Sequence, residues 1–156
     1  MKLPNGITGF YEKHNKPPMI DGEQFKLLCF NFIKSNGGKV LEFKEPKEKT
    51  NFFDVEVNVF NKHFHILLNA HYPLIAFASV VSFGEIDFID EPQLNNEFSP
   101  FYSILSTEEL NEPIIINSDS KKGTIQNENK LNGAELKQLA YWKPERIGDV
   151  IFNYWD

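Results

Sequence analysis

Residues 53–60 alternate without interruption: Phe53, Val55, Val57 and Val59 point one way, and Asp54, Glu56, Asn58 and Phe60 the other. A period of two is the signature of a β-strand with one dry face. A second run, residues 63–69, sets Phe64, Ile66 and Leu68 on one face. With Asn61 and Lys62 in a two-residue turn, these three come opposite Val59, Val57 and Val55, so apolar side chains meet across the hairpin. In that register Asn58 lies across from His65, with Glu56 one pair further along. Pro73 then interrupts, and residues 74–83 form a nearly continuous apolar run, the pattern of a central strand covered on both faces. Gly84 turns the chain into a short strand holding Ile86, Phe88 and Asp90. Residues 39–44 are a candidate strand ahead of the pair. Strands that follow one another without alternating helices predict an antiparallel meander, about four to six strands in all.

Helical periodicity flanks this block. Asp21 reads as an N-cap, with Gln24 at the third helical position. Phe25, Leu28, Phe32 and Ile33 then make one stripe, and Leu27 and Phe30 on its flank predict a helix covered on more than one side. Asn36, Gly37 and Gly38 stop it. Residues 1–20 and 91–113 read as mostly irregular, apart from a helical start at Ser106 followed by Thr107, Glu108 and Glu109. Ile114, Ile115 and Ile116 read as a short strand, and residues 118–123 as a turn. Asn132, with Glu135 three positions on, caps a helix carrying Leu136, Leu139 and Ala140. Pro144 ends it. A last helix carries Ile147, Val150, Ile151 and Tyr154. Residues 1–156 therefore read as a single α+β domain, with one N-terminal and two C-terminal helices around the meander.

Charge is distributed unevenly. The net charge is −6, yet residues 63–120 contain no Lys or Arg. They carry Glu85, Asp87, Asp90, Glu91, Glu97, Glu108, Glu109, Glu112 and Asp119. Such a field attracts basic partners and repels nucleic acid, which the sequence thus excludes as a ligand. The N-terminus lacks the apolar stretch of a signal peptide, and the longest apolar run is too short to span a bilayer. With a lone cysteine and no disulfide, these features predict a cytoplasmic protein without membrane contact. The sequence does not fix an oligomeric state.

Motifs for chemistry are few. No Gly-x-Ser-x-Gly, Gly-x-Gly-x-x-Gly or P-loop pattern occurs. Cys29 sits in mid-helix between apolar neighbours, a core position rather than a nucleophile's. Glu108 and Glu109 select no glycosidase geometry. The final helix carries only Arg146 beside Glu145 and Asp149, which disqualifies it as a DNA-reading helix. His63, His65 and His71 are the exception. His63 and His65 share one strand face, and with Glu56 nearby they form the raw material of a metal site or an acid–base centre.

The chain ends Trp142-Lys143-Pro144-Glu145-Arg146-Ile147-Gly148-Asp149-Val150-Ile151-Phe152-Asn153-Tyr154-Trp155-Asp156. This segment resembles a tail with the pattern Trp-Lys-Pro-x-x-Ile-Gly-Asp/Glu-x-Ile-Phe-Asn-x-Trp-Asp. That tail is found on small, mostly uncharacterised proteins of bacilli and related Gram-positive bacteria. Some carriers resemble immunity proteins, the intracellular partners that neutralise polymorphic toxins. The resemblance covers about a tenth of the chain and implies no catalytic residue. Ile147, Val150 and Ile151 read as core. Trp142, Phe152, Tyr154 and Trp155 either pack on a second element or form an exposed aromatic patch.

The leading expectation is a non-enzymatic binding protein that needs no cofactor. It captures a basic protein partner through Glu85, Asp87, Asp90, Glu91, Glu97, Glu108 and Glu109, and aromatic anchors slow release. The alternative is a small metal-binding protein or enzyme built on His63, His65, His71 and Glu56.

Overall fold

In a computed structural model that describes residues 1–117 and 124–156, five strands pair in sequence order. They are β1 (Lys39–Lys44), β2 (Phe52–Val59), β3 (Lys62–Asn69), β4 (Leu74–Ser82) and β5 (Glu85–Ile89). All four pairings are antiparallel. Helix α1 (Gly22–Ser35) precedes the sheet, and α2 (Pro92–Phe98) follows it. A two-residue strand, β6 (Ser103–Ile104), pairs in parallel with the start of β4. Three short helices close the chain: α3 (Thr107–Leu110), α4 (Gly133–Trp142) and α5 (Ile147–Ile151). The expected α+β meander is therefore the fold, with α2 added and α3 formed at the helical start expected from Ser106. The turn expected at 118–123 lies outside the described residues. Among the described residues no helix is long and apolar enough to cross a membrane.

The β2–β3 register differs from the expected one by two residues. Phe64 pairs with Val57, Ile66 with Val55 and Leu68 with Phe53. The turn residues are Phe60 and Asn61, not Asn61 and Lys62, and both have positive φ, 57° and 58°. Two left-handed residues give the turn twist that matches antiparallel strands. A shift of two leaves every side chain on its expected face, so periodicity alone cannot detect it. Its consequence is local: Glu56 now faces His65, and Asn58 faces His63.

The sheet is the middle of three layers. On one face, Val55, Val57, Phe64, Ile66 and Phe77 pack against Phe25, Cys29 and Ile33 of α1 and Leu94 and Phe98 of α2. On the other, Phe52, Leu67, Ala76, Ala78 and Phe88 pack against Leu3, Ile7, Val150, Ile151, Phe152 and Trp155. Asp21 caps α1 by accepting from the backbone N–H groups of Glu23 and Gln24. Leu27 and Phe30 are nonetheless exposed, so α1 is covered on one side only. In β4, Ile75 to Ala78 are buried on both faces, but Ser79, Val80 and Ser82 are exposed. The register is irregular between Ala78 and Val80, and beyond it only Val81 still packs against the core on the side of the C-terminal segment. Ile114, Ile115 and Ile116 form no strand; Ile116 makes only an isolated bridge to Ile125.

Buried polar groups fix the two ends of the chain to the sheet. Glu135, fully buried, accepts from the Gly6 N–H at 2.7 Å and from the Thr8 N–H and hydroxyl at 3.0 and 2.6 Å. The side-chain amides of Asn51 and Asn69 both donate to the carbonyls of Ile7 and Ile151. Asn153 donates to the carbonyls of Thr8 and Val150. A buried amide group left unpaired costs about 1–3 kcal/mol, so this fully paired network specifies one arrangement of both ends.

Candidate functional site

A groove of about 590 Å³ runs between the β4–β5 turn and the C-terminal segment. Its floor follows from the tail's own packing. Gly148 lies so close to Phe88 that a Cβ there would sit 2.4 Å from the ring, which lets α5 lie flat on the sheet. Phe152 is buried next to it. Trp155 is buried and stacks on Trp142 with ring planes 3° apart and centroids at 6.5 Å. Lys143, in the left-handed conformation with φ of 51°, ends α4 and turns the chain back. The tail aromatics therefore pack inward, except that Trp142 and Tyr154 keep part of their surface on the groove.

Phe83 forms the opposite wall. It sits at the β4–β5 turn, 73% exposed, and meets the Tyr154 ring edge-on. Burial pushes the Tyr154 hydroxyl above the usual phenol range, with the Asp54 carboxylate adding to the effect.

Glu85, Asp87, Glu145 and Asp149 supply four carboxylates to the lining, against Lys143 and Arg146. Arg146 is already committed. Its guanidinium donates to Asp149 at 2.7 Å, to Asn111 Oδ1 at 3.0 Å and to the Ile86 carbonyl at 3.1 Å. It also lies over the Phe88 ring, 5.1 Å from its centroid. The hydrogen bond to Asp149 is the main reason its pKa is raised. The groove thus carries a net charge of −2 and an exposed aromatic edge.

The seven acidic residues expected to form one surface are divided. Glu85 and Asp87 are exposed and line the groove. Glu108 is exposed on α3, which packs against both β5 and α5. Glu109 closes the capping box of α3 with Ser106. Asp90 accepts from the Thr107 N–H and hydroxyl at 3.0 and 2.9 Å. Glu97, on α2, accepts from the Asn36 amide at 2.7 Å. Glu91 is only 1% exposed and lies within the fold, so it contributes nothing to an outer surface.

The histidines are divided as well. His63 Nε2 lies 2.7 Å from Glu56 Oε2, and His65 Nδ1 lies 2.7 Å from Asp54 Oδ1. Their rings meet edge-on at 5.7 Å. These are two separate diagonal pairs across the β2–β3 hairpin, each carboxylate serving its own imidazole. His71 follows the opposite end of β3, where its Nδ1–H donates to the Pro18 carbonyl at 2.8 Å. It tethers the N-terminal segment. Among the described residues no group of three or more His, Cys, Asp or Glu side chains is arranged to hold a metal ion. The set His63, His65, His71 and Glu56 is therefore not assembled. Cys29 is buried, and burial pushes its thiol far above the reactive range.

Sequence reasoning missed Phe83, Glu145 and Asp149 as neighbours of Glu85. Phe83 did carry a signal: a large apolar residue directly before a turn glycine. Comparison with protein-family models, with curated proteins and with solved structures finds no match for this chain.

Proposed function

We propose that the protein is a non-catalytic binding protein that captures a basic protein partner at the groove between the β4–β5 turn and the C-terminal segment. The observation that carries this reading is the lining itself. Glu85, Asp87, Glu145 and Asp149 outnumber the two basic side chains, beside an exposed Phe83. Excess carboxylates speed the encounter with a basic surface, and an aromatic at the rim supplies an anchor that slows release. Glu108 adds an exposed carboxylate on α3, which packs against β5 and α5 outside the groove lining. The tail forms one side of the groove and resembles that of small bacterial proteins some of which resemble immunity proteins, so neutralisation of a basic toxin is the specific form this reading takes.

The test is paired affinity capture from an extract of the source organism. Wild-type protein and a Glu85→Lys/Asp87→Lys/Glu108→Lys variant are immobilised side by side. The expected result is a basic protein retained by the wild type, eluted as salt rises and absent from the variant. Equal retention by both would overturn the reading.

A further inference from the structure

A second cleft, of about 530 Å³, lies between the end of β5, α2, β6 and the start of α3. It shares no lining residue with the groove. Glu91 lines it, and one oxygen of that carboxylate is satisfied: Oε2 lies 3.3 Å from Lys62 Nζ. The other, Oε1, is buried and has no hydrogen-bond partner among the described residues. The hydroxyl of Tyr102, which also lines the cleft, is in the same state. Asp90, the other carboxylate of the cleft, has no hydrogen to donate to Glu91 and itself accepts from Thr107. Buried polar atoms are almost always paired, and a carboxylate oxygen is among the most costly to leave alone. A carboxylate only accepts, so the unpaired Glu91 Oε1 marks a place where a hydrogen-bond donor belongs.

The chemistry of that donor follows from the rest of the lining. It contains two carboxylates and no Lys, Arg or His. Even with Lys62 counted, the site keeps one net negative charge. Phe77, Ile104 and Leu105 supply apolar wall. We propose that this cleft binds a cationic organic amine, an alkylammonium or guanidinium group whose N–H donors meet Glu91 Oε1 while its alkyl stem lies on the apolar wall. The inference does not depend on the partner reading, because the groove residues take no part in it.

The same cation can arrive as a free small amine or as a basic side chain of a polypeptide. Titration calorimetry on the full chain separates the two with agmatine in one arm and an end-capped Arg-containing tripeptide in the other. The expected result is saturable 1:1 binding in at least one arm, weakened at least about tenfold by Glu91→Gln. Binding of agmatine alone identifies a free amine; binding of the tripeptide identifies a presented side chain. Lys62→Met, a substitution at an exposed position, removes the competing ammonium and should tighten binding even if the Glu91 variant folds poorly. The Glu85→Lys/Asp87→Lys variant should bind the amine as the wild type does. No heat in either arm, or affinity unchanged by both Glu91→Gln and Lys62→Met, would overturn the proposal.

Discussion

Phe83 meets Tyr154 edge-on, with ring centroids 6.0 Å apart, although the two residues belong to segments at opposite ends of the second half of the chain. That contact links the β4–β5 turn to the C-terminal tail across the groove. Phe83 is otherwise open to solvent. Its conformation is thus held without being buried, which suits a binding anchor.

Phe83→Ala separates binding from stability. The side chain is largely exposed, so the unfolding free energy should change by no more than about 0.5 kcal/mol. Loss of an aromatic anchor should accelerate partner dissociation about tenfold or more. Denaturant melts and dissociation rates of the captured partner check both. A large loss of stability would show that Phe83 is core rather than anchor.

Asn153→Ala should act in the opposite way. It removes the donor to the Thr8 and Val150 carbonyls and the acceptor for the Trp155 N–H. The expected cost is about 2–4 kcal/mol. For a chain of this size that lowers the melting temperature by roughly 5–10 °C. Thermal unfolding followed by circular dichroism measures it, and an unchanged midpoint would mean that the network does not hold the tail.

Gly148→Ala tests the close approach of α5 to the sheet. The new Cβ would meet Phe88 at 2.4 Å and the Leu110 carbonyl oxygen at 3.0 Å. Overpacking of this kind costs about 1–3 kcal/mol. Phe88→Leu introduced into the Gly148→Ala background should recover part of that loss, since it withdraws the ring edge. A double variant less stable than Gly148→Ala alone would refute the steric account.

Stability should fall at alkaline pH. Burial pushes the Tyr102 hydroxyl up to about 12. The unfolded chain releases that proton near pH 10, so between about 10 and 12 the folded state holds more protons. Its contribution is complete below about pH 10 and is lost as pH rises toward 12. Tyr72, Tyr154 and Cys29 are shifted in the same direction, chiefly by burial. Urea midpoints measured from pH 8 to 12 should decline, and less steeply in Tyr102→Phe. Identical slopes would remove Tyr102 from the explanation.

A chelator should leave the thermal midpoint unchanged. His63 and His65 are engaged with Glu56 and Asp54, and His71 is engaged at the far end of β3. A fall in the midpoint on treatment with EDTA, restored by zinc, would revive the metal reading.

The meander, the N-cap at Asp21 and the core positions Ile147, Val150 and Ile151 of the last helix were legible because each rests on local periodicity or local capping, whereas Tyr154, expected on the same helix, lies beyond its end at Ile151. The hairpin register was not. Phe60 adopts a left-handed conformation that bulky residues rarely take, so a turn one residue later looked better on propensity. The exposure of Leu27 and Phe30 depends on which layers cover α1, and no local pattern reports that. At the site, the sequence marked Glu85 and Asp87 but grouped them with Glu91, which the return of the chain after β5 buries. Phe83 adjoins Glu85 in the β4–β5 turn, but Glu145 and Asp149 reach them only through the long-range packing of the tail, with bonds such as Arg146 to the Ile86 carbonyl and Asn153 to the Thr8 carbonyl. Neither charge counting nor periodicity encodes those bonds.

The central claim is that the acidic groove captures a basic partner. The most direct measurement is the association rate of the captured partner as a function of ionic strength, for wild type and for the Glu85→Lys/Asp87→Lys/Glu108→Lys variant. The account predicts a wild-type rate that falls steeply as salt screens the groove, and a slower, nearly salt-independent rate for the variant. Equal rates with equal salt dependence would contradict it.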